Sequence, residues 1–368
     1  MASVVVDGGP TANGGSVNTL FTSVTICVPG STTECQTIDH VQVDTASYGL
    51  RLLGPVLTLS LPGVKAADGN SLAECTQFVD GYSWGPVALA DLQVSGETAA
   101  SVPIQVIGAA NFAAVPNACS SSGTTAEDTV ATFGANGILG IGVFEQDCGS
   151  GCANNVNNGY YYSCPQTGSC AGAAPSLAIQ VLNPVPLFAV DNNGTIIDLP
   201  SVASPGEATL TGSLIFGIDT QTNNKSGTQS VLTVDPATGN LTIVFNGQTL
   251  SGSFIDSGTN GIFFNDSNLS VCTDSNFSGF YCPASTQSFT ASLTGSNAVS
   301  ATATFTIQNA QTVVTANPTF AVLPTLGGTY SSSTNTFDWG LPFYYGRRVA
   351  TAIDAHTTAV NTGPYIAF

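Results

Sequence analysis

Two aspartates in this chain sit in the same local frame. Gln36-Thr37-Ile38 leads, eight residues after the Gln, to Asp44-Thr45-Ala46-Ser47 and then Gly49-Leu50. Gln248-Thr249-Leu250 leads with the same offset to Asp256-Ser257-Gly258-Thr259 and then Gly261-Ile262. Each unit reads as an extended strand ending at an acid, followed by a hydroxyl residue, a small residue, a second hydroxyl and a Gly-hydrophobic step. That is a strand running into a tight loop. One unit repeated once, centred on an acid in a chain poor in acids, implies two related halves rather than a many-repeat solenoid. Halves related in this way can face each other. Two carboxylates held within about 3 Å cannot both ionise, so such a pair keeps one proton across a wide acidic range. One member can then take a proton from water while the other gives one up, and the spacing does not say which does which. The plain alternative is that Thr45, Ser47, Ser257 and Thr259 are ordinary turn residues, since Asp, Ser and Thr favour turns on their own account.

The elements that must carry these acids are strands. Forty Gly and nineteen Pro, long stretches of Ser, Thr, Val and Asn, and only 8% charged residues describe an all-β chain cut by many turns. At 368 residues there is room for two cores. Leu199-Pro200-Ser201-Val202-Ala203-Ser204-Pro205-Gly206 reads as a linker, which divides the chain into residues 1–200 and 201–368. A second feature recurs after each Asp: Gly137-Ile138-Leu139-Gly140-Ile141-Gly142 in the first half and, more loosely, Trp339-Gly340-Leu341-Pro342-Phe343 in the second.

Ten cysteines, an even count with no Cys-x-x-Cys pair, fit disulfides better than metal or redox sites and point outside the cytoplasm. The expected location is secreted, periplasmic or cell-surface. Cys27 and Cys35 are placed to close one short loop and Cys272 and Cys282 another. Cys148, Cys152, Cys164 and Cys170 crowd one Gly/Asn-rich insertion with their pairing open, and Cys75 with Cys119 follows by elimination. Met1-Ala2-Ser3 lacks the basic start and apolar stretch of a secretion signal, so a leader removed before this point is expected. No apolar run reaches the roughly 18 residues of a membrane span. With 23 acidic and five basic residues the formal charge is -18 in neutral solution, which argues against nucleic acid or an anionic membrane as partner. In acid the carboxylates protonate and little cationic charge remains to repel itself, a composition suited to an acidic setting. His40 and His356 are too few and too isolated for a metal site and read as structural histidines, so no metal and no cofactor is expected.

Together these residues resemble the pepsin-like aspartic peptidases, and within them a branch of bacterial secreted proteins. Asp44-Thr45-Ala46-Ser47 is similar to the first catalytic motif of that family and Asp256-Ser257-Gly258-Thr259 to the second. Ile138-Leu139-Gly140 resembles the segment that threads under the first catalytic loop, Ser213-Leu214-Ile215-Phe216-Gly217-Ile218-Asp219 the strand after the lobe junction, and Gly340-Leu341-Pro342-Phe343-Tyr344-Tyr345 the last strands. The resemblance spans most of the chain. It implies two β-barrel-like lobes with a cleft between them, a monomer acting as an endopeptidase on a polypeptide held in the cleft, and Asp44 and Asp256 as the catalytic pair. It also implies that Thr45 and Ser257 cross between the lobes and bond the opposite loop, while Ser47 and Thr259 orient the carboxylates from outside.

The chain departs from the family pattern at three places. Ala46 stands where a Gly is usual; its Cβ is harmless at negative φ and strained at positive φ. The hairpin expected to close over substrate is best matched by Gln77-Phe78-Val79-Asp80-Gly81-Tyr82-Ser83-Trp84-Gly85. Phe78 stands there for the usual Tyr, and Arg51 for the Trp that bonds to it. A cation–π contact between Phe78 and Arg51 is the expected substitute, with Tyr82 or Trp84 able to take the role after a register shift. Asp338 occupies a normally apolar position, and its side chain is expected to turn outward. Tyr160-Tyr161-Tyr162 is expected to pack against the disulfides. A second reading stays open on these departures: a non-catalytic secreted binding or surface protein that keeps the fold.

Overall fold

The structure, a computed structural model, describes residues 1–10, 15–112, 114–120 and 125–368. Strand-forming stretches of alternating buried and exposed residues dominate it, with 41% strand and 10% helix. The chain is all-β. The first strands are β1 (Ala2–Val6), β2 (Leu20–Cys27), β3 (Cys35–Asp44), β4 (Tyr48–Leu53), β5 (Ser71–Gln77), β6 (Gly81–Val94), β7 (Glu97–Ile107), β8 (Thr125–Ala126) and β9 (Gly137–Ile141). They are followed by β10 (Tyr161–Cys164), β11 (Ala171–Gly172), β12 (Gly194–Asp198), β13 (Leu210–Phe216), β14 (Val231–Thr233), β15 (Leu241–Phe245), β16 (Gln248–Ile255) and β17 (Ile262–Phe263). The last are β18 (Gln287–Thr294), β19 (Ser300–Ile307), β20 (Gly327–Gly328), β21 (Asp338–Trp339), β22 (Arg348–Ala352) and β23 (Tyr365–Ala367).

The larger sheet runs β11-β10-β5-β6-β7-β4-β9-β3-β2-β1-β13-β12-β22-β23-β14, and β2 also pairs with β6, closing six strands into a barrel-like ring. The smaller runs β19-β18-β15-β16-β21-β17-β20. The segment read as a linker connects β12 to β13, which pair antiparallel within the larger sheet.

The repeat seen in the sequence has a counterpart in strand pairing. β3 runs parallel to β9 with Asp44 opposite Gly140, and β4 returns antiparallel to β9. In the smaller sheet β16 runs parallel to β21 with Ile255 opposite Trp339, and β17 returns antiparallel to β21. Asp44 therefore closes β3 and Asp256 directly follows β16, and a Gly passes beneath each loop. A Cβ on Gly140 would lie 2.5 Å from Tyr48 N, and one on Gly340 would lie 2.5 Å from Thr259 O, so only Gly lets the backbones approach this closely.

Buried Val, Leu and Ile of the ring join an aromatic cluster in the smaller sheet, where Phe264 stacks on Phe337 at 4.9 Å and Phe337 on Trp339 at 4.4 Å. This packing fixes β21 and the loop above it. Five disulfides complete the scaffold: Cys27–Cys35, Cys75–Cys119 and Cys272–Cys282, as the sequence anticipated, and Cys148–Cys152 and Cys164–Cys170 in the insertion. No helix among the described residues is long and apolar enough to cross a membrane.

Candidate active site

Asp44 and Asp256 meet in one cleft of ≈ 630 Å³, their carboxyl groups close enough to act on each other's charge. Both are buried. Their loops hold them in matching ways. Ala46 N–H donates to Asp44 Oδ1 at 2.7 Å and Gly258 N–H to Asp256 Oδ1 at 2.6 Å. The first hydroxyls reach across. Ser257 Oγ donates to the Val43 carbonyl at 2.8 Å, Ser257 N–H donates to Thr45 Oγ1 at 3.0 Å, and Thr45 Oγ1 reaches the Ile255 carbonyl at 3.4 Å. Burial, then the Asp44 carboxyl and Asp338, hold the Asp256 carboxyl well above the usual carboxylate range. The pair can therefore keep a proton where an exposed carboxylate has lost it.

The second hydroxyls differ between the halves. Thr259 Oγ1 donates to Asp256 Oδ2 at 2.8 Å. Ser47, its counterpart, does not support Asp44, because its buried Oγ has no hydrogen-bond partner among the described residues. Its carbonyl serves the loop instead, accepting from Gly142 N–H at 3.0 Å. Asp338 also departs from expectation. It is 4% exposed, lies inside the cleft and sits 3.1 Å from Thr259 Oγ1, because its strand position opposite Phe254 and Phe263 leaves no outward direction.

Over the cleft, β5 and β6 form a hairpin whose turn Phe78–Gly81 is closed by Phe78 N–H donating to the Gly81 carbonyl. Phe78, Val79 and Asp80 line the cleft. The anticipated cation–π contact is absent. Phe78 packs edge-on against Phe133 at 6.3 Å, while Arg51, 1% exposed, is committed to acids: Nη2 bonds Glu74 Oε1 at 2.7 Å and Asp147 Oδ2 at 3.3 Å. A buried guanidinium gains far more from carboxylates than from a ring face. Burial and Glu74 hold the Asp147 carboxyl well above its usual range, and Tyr161 Oη donates to its other oxygen at 2.8 Å. Tyr82 and Trp84 do not take the role either. Strand alternation puts them on the far face, where Trp84 Nε1 donates to the Phe112 carbonyl at 2.7 Å and its ring meets Tyr162 edge-on beside Cys75 and Cys119. Tyr161 and Tyr162 are buried, whereas Tyr160 lines the cleft. His40 Nε2 pairs with Asp7 Oδ2 at 3.3 Å.

Three contributors escape sequence reasoning. Tyr344 Oη bonds Thr45 Oγ1 at 2.8 Å, and Gln42 Nε2 donates to the Gly258 carbonyl at 2.8 Å, each tying one Asp loop to the other half of the chain. Gln42 precedes Asp44 by two residues on a strand whose neighbours alternate inward, a signal that could have found it. Glu127 is buried beside the turn, and burial, then the nearby Asp80, pushes its carboxyl up to about 8. Among the described residues no group of His, Cys, Asp and Glu is arranged to hold a metal ion.

A family model described as "Protein of unknown function (DUF3443)" matches residues 1–368. No curated protein matches the chain.

Proposed function

The chain belongs to this family along its whole length, and we propose that it is a secreted aspartic endopeptidase that hydrolyses peptide bonds in acid. The observation that carries this reading is the meeting of the Asp44 and Asp256 carboxyl groups in one cleft, held by reciprocal hydroxyl contacts between two repeated loops. In this account residues 1–200 and 201–368 are the two lobes of a pepsin-like fold. The five disulfides favour a setting outside the cytoplasm.

An extended polypeptide lies along the cleft beneath Phe78, its apolar side chains against Phe133, Phe254, Phe263 and Tyr330. A water between the carboxyl groups loses its proton to the ionised member and attacks the scissile carbonyl carbon, while the protonated member donates to the carbonyl oxygen. The tetrahedral intermediate then collapses: the C–N bond breaks, the amine leaves with a proton from the pair, and the carboxylic acid product forms. The roles belong to the pair, which titrates as a unit. Ala46 N–H and Gly258 N–H fix the carboxyl planes, so little reorganisation is needed during reaction.

The test is digestion of a denatured protein such as haemoglobin across the acidic range, with and without a statine-containing peptide, which places a hydroxyl where the water sits. Cleavage that rises in acid, is blocked by the statine peptide and is lost in folded Asp256→Asn supports the reading. A folded, disulfide-intact protein that cleaves nothing at any acidic pH sinks it.

A further inference from the structure

The cleft holds a third carboxyl that the water-activating pair does not use. Asp338 is buried on β21 between Phe254 of β16 and Phe263 of β17. The titratable groups facing it are Asp44, Asp256, Tyr330 and Tyr344; among the described residues no Lys, Arg or His forms an ion pair with it. Its Oδ1 has no hydrogen-bond partner among the described residues. Its Oδ2 lies 3.1 Å from Thr259 Oγ1, which is also 2.8 Å from Asp256 Oδ2.

That arrangement constrains where protons sit. A hydroxyl has one hydrogen, so Thr259 can donate to only one of two carboxyl oxygens. The second contact is a hydrogen bond only if a carboxyl supplies the hydrogen. An ionised Asp338 would be a buried anion with no cation, beside a pair that already carries negative charge; a neutral Asp338 avoids this and supplies the missing hydrogen. We propose that Asp338 stays protonated through the range in which the pair works, donates to Thr259 Oγ1, and so commits the Thr259 hydrogen to Asp256 Oδ2. Asp338 is then a positioning residue acting through Thr259, and it gives Asp256 a support that Asp44 lacks, since Ser47 makes no equivalent bond. Burial holds the Asp338 carboxyl well above its usual range, in the same direction.

This inference rests on the peptidase reading, and the test separates the two. Wild type, Asp338→Asn and Asp338→Leu are compared by kcat and KM on one peptide across the acidic range, and by infrared spectroscopy at about pH 6, above the ordinary carboxylate range. The wild-type minus Asp338→Asn spectrum is expected to contain the carbonyl band of a protonated carboxylic acid. Asn keeps a donor without charge, so kcat stays within about threefold and the alkaline limb of the pH profile does not move. Leu fills the apolar setting but donates nothing, so Thr259 Oγ1 loses the contact that orients it and kcat falls by about 5- to 10-fold with KM unchanged, the worth of one neutral hydrogen bond. A purely packing role predicts wild-type kcat in the Leu variant, and that result overturns the proposal. So does a missing infrared band, or an alkaline limb shifted to lower pH in Asp338→Asn, which would mean that an ionised Asp338 had been holding the pair's proton. If Leu does not fold, the Asn profile and the spectrum decide. If wild type cleaves nothing while the band is present, the peptidase reading fails and the proton on Asp338 does not.

Discussion

At the scale of single residues, the two Asp loops share one motif but not one tolerance. A Cβ on Gly258 would lie 2.8 Å from Asp44 Cγ and 3.1 Å from Asp256 Oδ1, in the space the carboxyl pair needs. Ala46 is exposed, lies outside the left-handed region and already carries its Cβ. Gly258→Ala is therefore expected to cost about 100-fold or more in kcat/KM by displacing the pair. Ala46→Gly should leave kcat/KM within about threefold and lower stability by about 0.4–1 kcal/mol through the unfolded chain. The departure at Ala46 was legible in the sequence, but its harmlessness depends on backbone angles that no motif encodes. Arg51 was legible as a change and misread as a partner for Phe78, because Glu74 and Asp147 converge on it only through strand pairing and the insertion. Arg51→Met leaves both acids buried without a cation and is expected to cost about 3–5 kcal/mol in urea unfolding at neutral pH. The cost should shrink in acid, where Asp147, already held above its usual range, is the more readily neutral.

At the scale of elements, the hairpin of β5 and β6 lies over the cleft. Asp80-Gly81 and the flanking alternation made it readable in the sequence. What faces its tip was not, because β8, far along the chain, pairs with Gly81 and Tyr82 and brings Glu127, the residue after it, beside Asp80. Burial and then Asp80 raise the Glu127 carboxyl from 4.5 to about 8. The closed hairpin thus keeps a proton that an opened one releases. This support is complete below the ordinary value, declines as pH rises above it, and is gone once pH passes the raised value. Amide exchange at Val79–Tyr82, corrected for intrinsic rate, is expected to accelerate between about pH 5 and 8, and Glu127→Gln to flatten that dependence. Equal exchange profiles in the two proteins would contradict this account of the hairpin.

At the scale of the whole molecule, composition and site electrostatics point the same way. The charge of -18 in neutral solution repels itself, and it falls towards zero in acid because there are so few cations to take over. Asp147, Asp256, Asp338 and Glu127 are all held above their usual values, mainly by burial. Each contributes stability that is full in acid and lost as pH rises towards its folded value. Asp68 and Asp235 shift the opposite way but are fully exposed and count for little. The urea midpoint is therefore expected to be higher at about pH 4 than at about pH 8, the reverse of common acid denaturation. The all-β character and the duplication were legible because Gly, Pro and the paired Asp frames are local signals. The pairing of β1 with β13 and of β12 with β22 was not, because it joins segments far apart in sequence. The central claim is that Asp44 and Asp256 act as one unit on water. Its most direct measurement is kcat/KM for Asp44→Asn, Asp256→Asn and the double variant, with the disulfides verified intact. Each single change should cost about a thousandfold or more, and the double should be little worse than the poorer single, since either loss disables the pair. Substantial activity in either single variant, or losses that multiply in the double, would contradict it.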